Sequence, residues 1–128
     1  MTREDKKLLL KDLCARLPYG IKFLRESWNY EWDQELSVIE VLEDIDKDGY
    51  INNTKVYDVG DIKPYLFPMP SMTEEQSKVY HELINGMFGT SALINFEVLT
   101  DFFNANHLDY RGLIKKGLAI DATGLNIY

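Results

Sequence analysis

Asp44-Ile45-Asp46-Lys47-Asp48-Gly49-Tyr50-Ile51 admits two readings, and the choice between them sets the fold. As the first half of an EF-hand loop it has acidic oxygens at loop positions 1, 3 and 5, Gly49 at 6 and Ile51 at 8. Position 12, where a bidentate Glu should close the shell, is Lys55, which brings a repelling ammonium. An EF-hand also needs an exiting helix, and Gly60 with Pro64 opposes one. As a hairpin the same stretch is coherent, because Asp48-Gly49 is a strong turn signal between apolar runs. The hairpin reading is adopted. Asp44, Asp46 and Asp48 are then turn carboxylates that accept local backbone N–H bonds, and they are set aside as a metal site. A weak calcium-binding module through loop 44–55 is the runner-up.

Upstream, segment 36–45 fits both a helix and a strand. Val38, Val41, Leu42 and Ile45 recur at helical spacing, yet Val38, Ile39, Val41 and Ile45 are β-branched, which favours a strand. Residues 21–24 read as a short strand leading into Trp28-Asn29-Tyr30-Glu31-Trp32-Asp33-Gln34. Trp28, Tyr30 and Trp32 alternate at strand period, so they share one face with Asn29, Glu31 and Asp33 opposite. Exposed, they form an aromatic partner surface of the kind enriched at interface hot spots. Covered, they are ordinary core. Downstream, 50–62 carries extended residues broken by Asn52-Asn53 and Gly60, and 63–70 is a proline-stiffened connector packing through Tyr65, Leu66 and Phe67.

Helices flank this region. Thr2 with Asp5 three residues on predicts a capped helix over 2–17, its inward face Leu9, Leu10, Leu13, Cys14 and Leu17. Pro18-Tyr19-Gly20 stops it. Thr73-Glu74-Glu75-Gln76 is a capping box opening a second helix with Val79, Tyr80, Leu83, Ile84 and Met87 inward. Asn95 is expected to cap a third, running to about Asn104, with Phe96, Leu99, Phe102 and Phe103 inward. The order helix, strands, helices indicates an α+β fold in a single domain over 1–128. It comprises a small antiparallel sheet of about three to five short strands (roughly 20–66), an N-terminal helix and two to three C-terminal helices.

Composition narrows the function classes. The 128-residue chain is 45% hydrophobic and carries a net charge of −7, with only Lys6-Lys7 and Lys115-Lys116 as basic clusters. That balance disfavours nucleic acid, which selects a basic footprint, and suits a basic protein partner. No apolar run reaches a membrane span. One cysteine excludes an internal disulfide, and with no secretory h-region the expected setting is a reducing cytoplasm.

Few residues invite chemistry. Cys14 falls among leucines and reads as a buried, inert thiol. His81 and His107 are the only imidazoles and have no partners at zinc-ligand spacing. Asp109-Tyr110-Arg111-Gly112 is the most inviting polar cluster: Asp109 and Arg111 can pair, Arg111 offers a planar fork to an anion, and His107 is close in sequence. More often such a cluster caps a short turn and ties the following segment to the body. No nucleophile elbow, phosphate loop or dinucleotide fingerprint occurs.

Three blocks carry a family resemblance: Asp12-Leu-Cys-Ala-Arg-Leu-Pro-Tyr-Gly20, Lys63-Pro-Tyr-Leu-Phe-Pro-Met69 with Ser71-Met-Thr-Glu-Glu-Gln76, and Asn106-His-Leu-Asp-Tyr-Arg-Gly-Leu-Ile-Lys-Lys-Gly-Leu-Ala119. Together they resemble uncharacterised short proteins of gut Bacteroidetes bacteria and their phages and mobile elements. The resemblance implies a small soluble intracellular protein of phage or mobile-element origin and brings no cofactor, ligand or catalytic residue with it. The expectation is a non-catalytic factor acting on a protein partner, with room for a homodimer if a sheet edge is open. A small enzyme built on 107–112 is the least favoured alternative.

Overall fold

The computed structural model describes residues 1–29, 34–53, 55–86 and 92–128, with side chains outside 26–37, 54 and 86–95. Helix α1 (Arg3–Arg16) starts where its cap predicts. The Thr2 hydroxyl accepts from the Asp5 amide at 3.0 Å, and the Asp5 carboxylate accepts from the Thr2 amide at 3.1 Å. Two of the amides a helix start leaves open are thereby satisfied. Pro18 then forces a 3₁₀ turn, and Gly20, at φ 68°, takes the left-handed conformation that redirects the chain into the sheet.

Strand β1 (Lys22–Asn29) pairs antiparallel with β2 (Gln34–Val41), so the β-branched residues of 36–41 do extend rather than coil. A two-stranded ribbon of β3 (Ile51–Asn52) and β4 (Val56–Tyr57) follows the Asp48-Gly49 turn. Strand β5 (Ile62–Leu66) lies against β1, and β6 (Ile120–Asp121) adds beside β5 in parallel, giving the order β2-β1-β5-β6. The expected connector at 63–70 is therefore corrected: its first part is an interior strand, with Pro64 and Leu66 fully buried. Parallel entry of β6 makes the sheet mixed.

Helices α2 (Glu74–Gly86) and α3 (Ala92–Ala105) complete the α+β architecture. Thr73 and Gln76 form the expected reciprocal cap of α2. Two expectations for α3 fail: Asn95 lies inside the helix rather than capping it, and Phe96 is 56% exposed. Val79 on α2 is also exposed. As expected, Tyr80, Leu83, Leu99, Phe102 and Phe103 do face inward, packing with Phe67 and Leu108. A second cluster, under α1, joins Leu9 and Leu13 to Phe23, Ile62, Leu66 and Leu113. Full burial of each such side chain contributes about 1.5–3 kcal/mol.

Residues 106–118 hold the two clusters together. The Phe67 amide donates to the His107 carbonyl and the Asp109 amide donates to the Phe67 carbonyl, both at 2.8 Å. Among the described residues no helix is long and apolar enough to cross a membrane.

Candidate functional site

Asp12 and Arg16 stand one turn apart on α1, a spacing that usually marks a solvated ion pair. Here both side chains are completely buried. Arg16 Nε donates to Asp12 Oδ2 at 2.8 Å and Arg16 Nη2 donates to the Leu108 carbonyl at 2.6 Å. Arg111 Nη1 donates to the other Asp12 oxygen at 3.0 Å and to the Tyr110 hydroxyl at 2.6 Å. Two guanidinium groups thus share one carboxylate, and both lie within reach of the Tyr110 ring, at 5.3 and 4.6 Å from its centroid. Tyr110 in turn stacks on Phe103 of α3. The hub ties α1, α3 and the 106–118 segment at a point where desolvation is costly, and of the Arg16 nitrogens Nη1 is buried there without a hydrogen-bond partner among the described residues.

This arrangement corrects two sequence expectations. Cys14 is exposed, not buried. The buried stripe of α1 runs through Leu9, Asp12, Leu13 and Arg16, and Cys14 sits about 200° around the helix from Asp12. Arg111 pairs with Asp12 rather than with Asp109. The Asp109 carboxylate instead accepts from the Leu113 amide at 2.8 Å and the Ile114 amide at 2.9 Å, closing the turn after it.

His107 ends α3 with φ 56°, a left-handed position that glycine usually fills. Its ring stacks on Tyr128 with 3.7 Å between centroids and 13° between planes. Burial, reinforced by the charges of Arg16 and Lys22, lowers its pKa to about 4, so the imidazole is neutral near pH 7. His107, Asp109 and Arg111 are therefore engaged with three different partners, and among the described residues no hydrogen bond links any two of them. His81 is exposed on α2.

The acidic turn is self-contained. Asp46 Oδ1 accepts from the Asp48 amide at 2.9 Å and the Tyr50 amide at 3.0 Å, and Asp46 Oδ2 accepts from Asn52 Nδ2 at 3.3 Å. Gly49, at φ 85°, completes the reversal, and Ile45 bridges to Ile51. Asp44 and Asp48 are exposed. Among the described residues no three His, Cys, Asp or Glu side chains are placed to hold a metal ion.

The β1–β2 ribbon is the longest ladder among the described strands. Its register runs from Lys22↔Val41 to Asn29↔Gln34, whereas β5 pairs with β1 only over Phe23–Arg25. Four further pairs, Glu26↔Ser37 to Asn29↔Gln34, form an arm with no pairing from β5 beneath it. At its root Arg25 Nε donates to Glu40 at 3.0 Å, and the guanidinium lies 4.8 Å from the Tyr57 ring centroid. A cavity of about 220 Å³ lined by Leu24, Gly60, Asp61 and Lys63 opens beside this root. On the outer edge strand Ile39 is 50% and Val41 45% exposed. Of the aromatic surface named from the sequence, Tyr30 and Trp32 lie outside the described residues, as does the side chain of Trp28.

Asp12 and Arg16 escaped the sequence reading. An Asp-to-Arg pair at helical spacing looks the same on a wet face as on a buried one, and only the proximity of Arg111, far along the chain, distinguishes them. Compared with protein-family models, curated proteins and solved structures, the chain has no match.

Proposed function

We propose that this chain is a non-catalytic accessory factor that engages a protein partner through the β1–β2 arm. The extension of the ribbon four pairs beyond β5 carries this reading. A two-stranded ribbon alone is marginally stable in water, so an arm of this length gains most from a surface that packs on it. The outer edge of β2 ends the sheet and carries no proline or lysine to block a further strand. In sequence Trp28, Tyr30 and Trp32 alternate from the end of β1 through the segment that joins it to β2, and aromatic side chains of this kind supply contact area at low entropic cost. With a net charge of −7, a basic partner is favoured. The engagement of Asp12, Arg16, Asp109 and Arg111 in structural pairs supports a role without bond-making chemistry.

The resemblance of the three sequence blocks supports an origin in a bacterial phage or mobile element, acting in the cytoplasm. Capture from host lysate with the wild-type chain and a Trp28→Ala/Trp32→Ala variant tests the reading. A protein retained only by the wild type is expected; the same proteins on both would remove the aromatic residues from the account. Antiparallel pairing of β2 across a two-fold axis would make a homodimer, and light scattering reports it directly.

A further inference from the structure

The pairing of β1 with β5 stops at Phe23↔Pro64, and the next pair in register would be Lys22 with Tyr65. The Tyr128 hydroxyl occupies that step. It accepts from the Lys22 amide at 2.9 Å and donates to the Tyr65 carbonyl at 2.8 Å, bridging the two strands. Around the ring stand the His107 imidazole, stacked at 3.7 Å, the Phe67 ring at 5.8 Å and Lys22 Nζ at 5.8 Å. Lys22 Nζ also donates to the Ile127 carbonyl at 2.7 Å, fixing the backbone that delivers the ring. Tyr128 is 41% exposed as a residue and its bond to Tyr65 is part-buried; burial raises the phenol pKa to about 12, against the opposing influence of the Lys22 hydrogen bond and Arg16.

We propose that His107, Phe67, Lys22 and the Tyr65 carbonyl form a binding socket for a para-substituted phenol, filled in this structure by the chain's own Tyr128. The chemistry selects that class. One atom must accept from an N–H and donate to a C=O on opposite strands, which a hydroxyl does and a hydrocarbon cannot. The flat body must lie against a neutral imidazole, which an aromatic ring does. His107 is held there in a left-handed conformation that an unadorned turn would assign to glycine, so the imidazole supplies something beyond chain reversal. A tyrosine side chain presented by a partner fits the same description, making Tyr128 an internal occupant that such a partner would displace.

The test uses the Tyr128→Ala chain titrated with 4-methylphenol and, separately, with toluene. 4-Methylphenol is expected to raise the melting temperature saturably and to shift the His107 ring and Lys22 amide resonances. Toluene should bind at least about tenfold more weakly, the loss expected for a hydroxyl whose two partners go unpaired. The wild-type chain, with its socket filled, should respond to neither. Equal responses to both compounds, an equal response from the wild type, or none from folded Tyr128→Ala would each overturn the proposal. Should Tyr128→Ala fail to fold, Tyr128→Phe keeps the ring and removes only the hydroxyl. Its Lys22 amide should then exchange with solvent about tenfold faster than in the wild type. Unchanged exchange at Lys22 would sink the assignment equally.

Discussion

Asp12 and Asp46 are the same residue type put to opposite uses. Asp46 sits in an acidic turn and satisfies amides two and four residues away. Asp12 is fully buried and receives guanidinium groups from Arg16 on its own helix and from Arg111, 99 positions away. The first holds one local conformation; the second decides whether separate parts of the chain dock. A carboxylate's value to the fold therefore follows its burial and the sequence distance of its partners, not the density of acids around it.

The largest test of that contrast is Asp12→Ala. Two buried or part-buried guanidinium groups would lose their shared counter-charge, and a loss of about 3–5 kcal/mol is expected. Since a domain of this size has about 5–15 kcal/mol in total, urea unfolding should show a large fall in midpoint. A change under about 1 kcal/mol would mean the pair is solvated and the contrast empty.

Asp109→Ala comes next. Leaving the Leu113 and Ile114 amides without their acceptor should cost about 1–3 kcal/mol by the same measurement. His107 sharpens the comparison through pH. Its pKa is near 4 in the folded chain, below the ordinary histidine value of 6.5, so the unfolded chain binds the proton first as pH falls. Its contribution is therefore fully present above about pH 6.5, is lost progressively towards pH 4, and changes no further below that. Melting temperatures across that range should decline less steeply in His107→Gln than in the wild type.

Asp46→Ala should have the smallest effect on stability, about 0.5–1.5 kcal/mol, because its bonds are local and partly solvated. Millimolar calcium should shift the melting temperature of neither Asp46→Ala nor the wild type. A calcium-induced rise in the wild type alone would restore the turn as a cation site.

What the sequence disclosed follows the same division between local and distant. The Thr2–Asp5 and Thr73–Gln76 caps and the Asp48-Gly49 turn depend on neighbours a few residues away, and each is legible as a pattern; segment 36–45 carries both helical spacing and β-branching, and pairing with β1 settles 36–41 as strand. Pro64 misled the reading because proline normally avoids interior strands; here β5 is only five residues long and packs Pro64 into the core. Cys14 and Phe96 misled it because apolar spacing names a helix face without saying which neighbour covers it. The hub was illegible for a further reason: burial of Asp12 and Arg16 depends on residues 108–111, which no local window contains. The arm is intermediate. Its strands were expected, but its length beyond β5 depends on where a third strand stops.

In the proposed role the arm is an organ of contact rather than a support for the fold. Arg25 and Val38 are paired in the ladder, so replacing 26–37 by Asn-Gly closes the ribbon with a two-residue turn and leaves the hub untouched. The decisive measurement is the affinity of this shortened chain for the protein captured by the wild type, taken on material whose melting temperature lies within about 5 °C of the original. Loss of binding by at least about 100-fold, roughly 2.8 kcal/mol, is the predicted result. Binding of the shortened chain at the original affinity would contradict it.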